Sequence, residues 1–433
     1  MTRQDAENFV YSSYLKASKL LDYSSADSKK RRPELTQSLL QHLSTAPSVA
    51  ITGSKGKGSV AHLISIILEP YFKIGLLTSP HVIDFTERIR VNGVKISDED
   101  FAEHTKRIKP QIDKIEEGLE AHQFISPIGI QAAIALSYFS EKGTSFNVLE
   151  CGKGAKFDDI RNIPHLYSVI NTIFLEHTRE LGGSLEEIAS DKAHIISGEE
   201  KYVFIGRQTQ EVRDIIRSRA IGMGVPLKSY GEDFYAEEIS LTEDGISFDV
   251  VIGKERYSRL ELPVSGEFQA YNCALAMALC QEVAGSLDRK LLKESLKKFH
   301  YPGRMQILSK SPFILLDACI NRESAIQVKK TLERLRLKKV SLIMGIPDDK
   351  DYLGVAECMQ DYAYKVILTR SSNPHYHFSD NRRLELLKRG ISAESISSVI
   401  EALTLAKKSS RPIVILGTTS LITDVLRYQS IIV

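Results

Sequence analysis

The chain has 433 residues, more than one ordinary hydrophobic core accommodates, so two or at most three domains are expected. Lysine and arginine number 57 against 55 aspartates and glutamates, and a formal net charge of +2 leaves no field to hold a polyanion, which argues against a nucleic-acid partner. Hydrophobic residues at 42% and charged residues at 26% belong to a globular chain and exclude the disordered and fibrous classes.

Residues 1–21 include Arg3, Asp5, Glu7 and Lys16, which interrupt any apolar run of signal-peptide or membrane-span length. The five cysteines (Cys151, Cys273, Cys280, Cys319 and Cys358) are odd in number and form no CxxC pair, so neither a disulfide framework nor a thiolate zinc site is expected. A cytoplasmic protein with no membrane partner is the reading, and a monomer is expected. Residues 6–43 carry apolar positions at helical spacing in two parts separated by Pro33, with 24–32 read as a mobile polar loop. The texture then changes to short apolar runs at 48–52, 74–78, 146–150, 168–173 and 202–205. Helical stretches such as 59–68 and 128–139 stand between them, which predicts a mostly parallel sheet with helices on both faces.

From 230 to 262 the pattern alternates through Ile239, Leu241, Ile246, Phe248 and Val250, predicting an antiparallel subregion, and a helix is expected near 269–283. His300-Tyr301-Pro302-Gly303-Arg304 has the punctuation of a connection between domains. Beyond it, strands at 313–317, 340–344, 366–369 and 413–416 alternate with helices at 324–336, 382–389 and 421–428. The expected domains are therefore 1–299 and 300–433, the second a smaller α/β unit.

The most informative segment is Gly53-Ser54-Lys55-Gly56-Lys57-Gly58-Ser59, after the strand at 48–52 and before a helical pattern. Glycines let successive N–H groups turn toward phosphate oxygens, the next helix presents its positive end, and a lysine such as Lys57 reaches the β/γ-phosphates while Ser59 holds Mg²⁺. It is a variant phosphate-binding loop, because Gly58 separates Lys57 from the hydroxyl residue.

Thr52-Gly53-Ser54-Lys55-Gly56-Lys57-Gly58-Ser59 resembles the Thr-Gly-x-x-Gly-Lys-Gly-Ser/Thr loop of the Mur ligase superfamily, in particular its folylpolyglutamate synthase and dihydrofolate synthase branch. Thr78-Ser79-Pro80-His81, followed by Phe85-Thr86-Glu87-Arg88-Ile89-Arg90-Val91-Asn92-Gly93, is similar to the stretch after that branch's second strand. The resemblance implies a P-loop ATPase domain with a mostly parallel sheet and a Rossmann-like C-terminal ligase domain. It also implies ATP and Mg²⁺ as cofactors. Ser59, Ser79, Glu150 (in Leu149-Glu150-Cys151-Gly152) and His177 (in Glu176-His177-Thr178) are then the magnesium ligands, and Lys192, in Asp191-Lys192-Ala193, matches a lysine that is carbamylated in these enzymes.

Asn272, in Gln269-Ala270-Tyr271-Asn272, falls on the adenine side. Arg304 resembles an interdomain arginine that reaches the phosphates, and Asp317 and Asn321 match two positions of an Asp-x-Ala-His-Asn motif. Ser79, His81, Arg88 and Asp158 are expected near the acceptor substrate. Gly345 with Asp349-Lys350-Asp351 fits the next strand end. Taken singly, His177 reads as a structural histidine, Lys192 as a solvated lysine, Arg304 as a hinge ion-pair partner and Asp317 as a helix cap; only the register of the motifs gives them chemistry.

Three places depart from the pattern. Ile320 stands at the motif's histidine with Arg322 at the usual proline, and Ser126-Pro127-Ile128-Gly129 occupies a Thr-x-Phe-Glu motif whose aromatic ring lies against the pterin. Within Gly152-Lys153-Gly154-Ala155-Lys156-Phe157-Asp158-Asp159-Ile160-Arg161-Asn162, Ile160 replaces a threonine. The expected activity is an ATP-dependent amide ligation of an amino acid, glutamate, to a folate-type carboxylate through an acyl phosphate. Two alternatives are a ligase of the same superfamily acting on a non-folate acid and a non-catalytic nucleotide-binding subunit.

Overall fold

In the computed structural model, which describes residues 1–21, 26–242 and 244–428, the chain opens with a helix started by its own side chains. α1 (Arg3–Ser18) begins at a capping box between Thr2 and Asp5 and buries Ala6, Val10, Ser13 and Ala17 on one stripe. α2 (Asp27–Lys30) is a single turn and α3 (Glu34–Leu43) follows Pro33. Of the stretch read as a loop, Ser24 and Ser25 lie outside the described residues, whereas 27–30 is helical, with Asp27 buried and 3.9 Å from Arg31.

There follow β1 (Ser48–Thr52), α4 (Lys57–Leu68), β2 (Ile74–Leu77), β3 (Ile89–Val91), β4 (Val94–Lys95), α5 (Asp98–Glu116), α6 (Pro127–Lys142) and β5 (Phe146–Glu150). Then come β6 (Tyr167–Ile170), α7 (Thr178–Leu181), α8 (Leu185–Ala193), β7 (Tyr202–Ile205), α9 (Gln210–Met223) and β8 (Leu227–Ser229). Among the described residues the strands form an eight-stranded sheet in the order β4-β3-β2-β5-β1-β6-β7-β8. β1 is central, pairing in parallel with β5 and β6, and the antiparallel pairings are confined to the edge, where β3 runs against both β2 and β4. All five residues of β1 are buried. Ala50 faces the core that includes Ile130, Ile134 and Ile196, while its neighbours Val49 and Ile51 point the opposite way and are just as inaccessible, so both faces of the sheet are covered.

Of the boundaries that differ from the sequence-based expectation, two serve the glycine loop. α4 begins at Lys57 instead of 59, because Gly56 adopts a left-handed φ of 80° and acts as its N-cap. β6 ends at Ile170 instead of 173, because the next residues leave the sheet to brace the loop: Ser54 N–H donates to the Thr172 carbonyl and Phe174 N–H to Ser54 Oγ.

β9 (Phe234–Leu241), β10 (Ile246–Ile252) and β11 (Glu255–Leu262) form a three-stranded sheet in the order β11-β10-β9. The links at 242–245 and 253–254 are too short for a parallel crossover, so neighbouring strands run antiparallel. α10 (Phe268–Ala284) and α11 (Arg289–Lys297) come next. The last part holds β12 (Gln306–Lys310), β13 (Phe313–Asp317), α12 (Arg322–Arg334), β14 (Val340–Gly345), α13 (Tyr352–Met359), β15 (Ala363–Leu368), α14 (Arg382–Lys388), β16 (Ala393–Ser395), α15 (Val399–Lys407), β17 (Ile413–Gly417) and α16 (Thr419–Arg427). Its sheet has the order β12-β13-β17-β14-β15-β16 and is parallel except for β12.

The fold divides into two compact units. One comprises the described residues of Met1–Glu237 with Val250–Ser258 and Tyr271–Lys298; the other comprises Glu238–Asp249, Arg259–Ala270 and the described residues from Phe299 onward. Among the described residues, no helix is long and apolar enough to cross a membrane, and all five cysteines are free thiols.

Candidate functional site

The loop between β1 and α4 takes a shape that side chains would forbid. Gly53 has a φ of 140° and Gly56 a φ of 80°. A Cβ added to Gly56 would stand 2.5 Å from Asn171 Nδ2 and 3.0 Å from Asn272 Oδ1. Those two amides form the loop's scaffold: Asn171 Nδ2 donates to the Lys55 carbonyl at 3.0 Å and to Asn272 Oδ1 at 2.9 Å. Asn272, expected on the adenine side, thus lies beside the loop in the same unit. Thr52 Oγ1 donates to the Gly154 carbonyl at 3.4 Å, and Gly58 and Ser59 are buried in the first turn of α4.

Two cations converge on this loop. Lys57 Nζ donates to the Gly53 carbonyl at 2.9 Å, and Lys192 Nζ reaches the same oxygen at 3.0 Å from α8. Lys192 also donates to the Lys153 carbonyl at 2.6 Å and to Glu176 Oε1 at 3.2 Å. It is fully buried, not a solvated lysine. Burial first, and the charge of Lys57 second, push its ammonium down to about 8, while Glu176 opposes the shift. His177, at the left-handed N-cap of α7, lies 3.9 Å from Glu176, and burial holds its imidazole below the ordinary range.

Glu150 ends β5 almost inaccessible and accepts the Ser79 N–H at 3.0 Å, which ties the Ser79–Arg88 stretch to the sheet. Among the described residues no group of three or more His, Cys, Asp and Glu side chains could hold a metal by itself. Of the four expected donors, the Glu150 carboxylate and the Ser59 and Ser79 hydroxyls are the hard oxygen ligands that suit Mg²⁺, which keeps waters and takes the rest of its shell from phosphates, whereas the His177 imidazole is a nitrogen ligand outside that preference. On the same stretch, Arg88 Nε donates to His81 Nδ1 at 2.9 Å. Burial and the Arg88 charge hold the His81 imidazole down at about 4, so it is a neutral acceptor.

Asp158, expected near the acceptor, is fully buried and its oxygens are engaged. Oδ2 accepts Gly152 N–H at 2.9 Å and Arg31 Nη1 at 3.4 Å, and Oδ1 accepts Ile160 N–H at 3.1 Å. It shapes the 152–162 loop. Next to it, Asp159 accepts from Ser126 Oγ and from Thr36 Oγ1, and its Oδ1 would stand 2.5 Å from a Cβ at Gly129. Burial pushes that carboxyl up to about 6. Ile128 and Ile160, two of the departures, are buried in the core of this unit.

The second unit holds the other expected residues. Asp317 ends β13 and accepts the Met305 N–H at 2.9 Å, so it fixes the turn after Arg304; the cap of α12 is Asn321, whose Oδ1 accepts the Ser324 N–H at 3.0 Å. Arg304 stands 5.6 Å over the Tyr301 ring and makes no ion pair among the described residues. Ile320 packs against the core of this unit, and Arg322 pairs with Glu357 at 3.2 Å. Glu176, Asn171, Arg31 and Gln131 were not anticipated as site residues. Only Glu176 carried a signal, since it adjoins His177.

A family model described as the Mur ligase middle domain matches residues 51–280, more than half of the chain. The dihydrofolate synthase/folylpolyglutamate synthase of Bacillus subtilis is 28% identical over 394 residues, covering 87% of this chain and 88% of that protein. A Mycobacterium tuberculosis folylpolyglutamate synthase structure, complexed with ADP and AMPPCP, matches with a TM-score of 0.85 at 22% identity, covering 97% of this chain and 98% of that one. The folylpolyglutamate synthase structure from Thermotoga maritima gives a TM-score of 0.80 at 26% identity, covering 93% and 94%. The chain therefore belongs to the Mur ligase superfamily, in its folylpolyglutamate synthase and dihydrofolate synthase branch.

Proposed function

We propose that the chain is an ATP-dependent ligase that joins glutamate to a folate-type carboxylate acceptor. The observation that carries this reading is the meeting of Lys57 and Lys192 on one carbonyl of a glycine loop at a helix N-terminus. Two ammonium groups that close, balanced nearby by Glu176, are matched to a polyanion. A carboxylate oxygen of the acceptor attacks the γ-phosphorus, ADP leaves, and the amine of glutamate displaces phosphate from the acyl phosphate to form the amide. Lys57 draws charge from the transferred group, and the glycine loop orients the phosphates through its N–H groups. Ser59, Ser79, Glu150 and His177 would hold Mg²⁺, which neutralises phosphate charge when bound. Arg304, Asp317 and Asn321 enter the proposal on their motifs alone, as do the domain limits 1–299 and 300–433. A cytoplasmic monomer completes the reading.

The test is phosphate release from ATP with dihydropteroate or tetrahydrofolate as acid and glutamate as amine. Release that requires all three components, and that disappears in Lys57→Ala, is expected. Failure of every pair in a broad panel of acids and amino acids would sink the reading, and turnover with another acid alone would move it to a non-folate acceptor.

A further inference from the structure

Beside the C-terminus of α8 four basic side chains gather, and among the described residues none of them forms an ion pair. Arg161, in the short turn Asp159–Asn162, donates from Nη1 to the Lys156 carbonyl at 3.0 Å, and Lys156 holds its ammonium 5.5 Å over the Phe157 ring. His194 is the C-cap of α8, with Nδ1 2.7 Å from the Ser190 carbonyl. Two residues on, the Ile196 carbonyl accepts Arg219 Nη2 from α9 at 3.0 Å. These groups act on one another. Burial first, and the Arg219 charge second, hold the Arg161 guanidinium below its ordinary value. Burial also lowers the His194 imidazole, and the charges of Arg219, Lys156 and Arg161 add to it against the opposing Ser190 carbonyl.

Asp191 is the carboxylate that opposes the shift at Arg161, and it is already engaged: it is buried and accepts the N–H of Ala155 at 2.9 Å and that of Lys156. Those bonds set the 155–156 backbone, and with it the anchor of Arg161, against α8. Each guanidinium has several N–H donors, and the bonds in place take only one from each, to a neutral carbonyl. Arg219 Nε is inaccessible and has no partner, so this side chain is held against the protein instead of reaching into water. The negative end of α8 favours a cation, but it carries only about half a charge. Like charges drawn together and partly desolvated oppose folding unless an anion joins them.

The cluster is distinct from the phosphate cradle. Arg161, Ile196 and Arg219 come shortly before β6, β7 and β8 begin, whereas the glycine loop and Glu150 stand at the ends of β1 and β5. These strands are parallel, so their starts and ends lie at opposite edges of the sheet. His165, just before β6, meets the Ile195 carbonyl at 3.2 Å, which holds the turn bearing Ile196 toward the starting edge. The donors arrive from the 152–162 loop, α8 and α9, and so from three directions. A planar carboxylate fits one guanidinium fork, while a tetrahedral phosphoryl group turns oxygens toward all three. We propose that Lys156, Arg161, His194 and Arg219 form a second anion site, which takes the phosphoryl group of inorganic phosphate or of a phosphomonoester. An anion there ties the 152–162 loop to α9 and to α8, the helix that carries Lys192. The assignment does not depend on the ligase reading.

The experiment is calorimetry on the full chain at constant chloride, with AMPPCP and Mg²⁺ filling the glycine loop, titrating inorganic phosphate, glycerol 3-phosphate and tri-γ-glutamate. A single phosphate should bind, with tri-γ-glutamate weaker by about tenfold or more. Comparable binding of glycerol 3-phosphate assigns a phosphomonoester, and its failure to bind assigns the free ion. Arg161→Gln and Arg219→Gln, on separate elements, should each weaken phosphate about tenfold or more. Circular dichroism should show both variants folded with a melting temperature near that of the wild type, so that a loss of binding is not a loss of fold. Lys57→Ala, measured without nucleotide, should retain this phosphate, and that arm decides even where AMPPCP does not bind. No phosphate bound once the loop is filled overturns the site, as does a Kd unmoved in the folded Gln variants, or binding abolished by Lys57→Ala. Tri-γ-glutamate binding as tightly as phosphate overturns the phosphoryl assignment.

Discussion

Gly53 offers one carbonyl oxygen to two ammonium groups, and the chemistry of the site begins with that crowding. Lys57→Ala removes the cation nearest the loop and should lower kcat by roughly 10²–10³ with the melting temperature little changed, as steady-state kinetics and calorimetry will show. Gly56→Ala acts differently. Its left-handed φ and the 2.5 Å approach of Asn171 Nδ2 leave no room for a methyl group, so a loss of roughly 1–2 kcal/mol in urea unfolding and loss of nucleotide binding are expected together. Asp159 supplies a pH test. Its folded carboxyl is held at about 6, above the unfolded value near 3.9, so the folded state takes up a proton between these limits and gains stability as pH falls. Asn at this position cannot do so. Wild type should therefore gain on Asp159→Asn by roughly 2–3 kcal/mol between pH 7 and pH 4, measured by urea midpoints.

At the scale of elements, the 195–201 turn between α8 and β7 has its own lock. His165 and Glu200 approach to 3.2 Å in the interior, and Ser168 Oγ donates to Glu200 Oε1 at 3.1 Å. The pair anchors the turn that follows the helix carrying Lys192. Burial works against the His165 charge, but Glu200 and the Ile163 and Ile195 carbonyls more than offset it, raising the imidazole above its ordinary value. The Glu200 carboxylate, though also penalised by burial, is held down to about 2 by His165 and the Ser197 N–H. The histidine's contribution is complete below about pH 6.5 and is lost as pH rises through its folded value; the glutamate's is complete above about pH 4.3 and is lost as pH falls toward 2. Glu200→Gln should thus cost most, on the order of 3–5 kcal/mol, between about pH 4.3 and 6.5, and less on either side. A cost that stays flat with pH in chemical denaturation would rule out an ion pair there.

For the whole molecule, the reading predicts that nucleotide binding is felt as stability. AMPPCP with Mg²⁺ at about 100 times its Kd should add about 2.7 kcal/mol to unfolding of the wild type, read as a rise in melting temperature. Gly56→Ala should show little of that rise, since its loop cannot close on phosphate.

Much of this was legible in the chain itself. Gly53, Gly56 and Lys57 between an apolar run and a helical pattern already specify a phosphate cradle, because φ preference and helix polarity are local properties. β1 and β5 were likewise readable at their full lengths, since strands buried on both faces are continuous apolar runs. The short edge elements β4 and β16 were not, having two and three residues and little apolar signal. Nor did spacing show that Asn171 and Asn272, 101 positions apart, share a hydrogen bond beneath Gly56, that Lys192 lies fully buried against Gly53, or that Gln131 meets Arg88. Those pairings join strand ends and helix faces that only the folded sheet brings together. A side chain's local pattern sets its element, whereas its partner, and with it its charge and its role, is set by contacts distant in sequence.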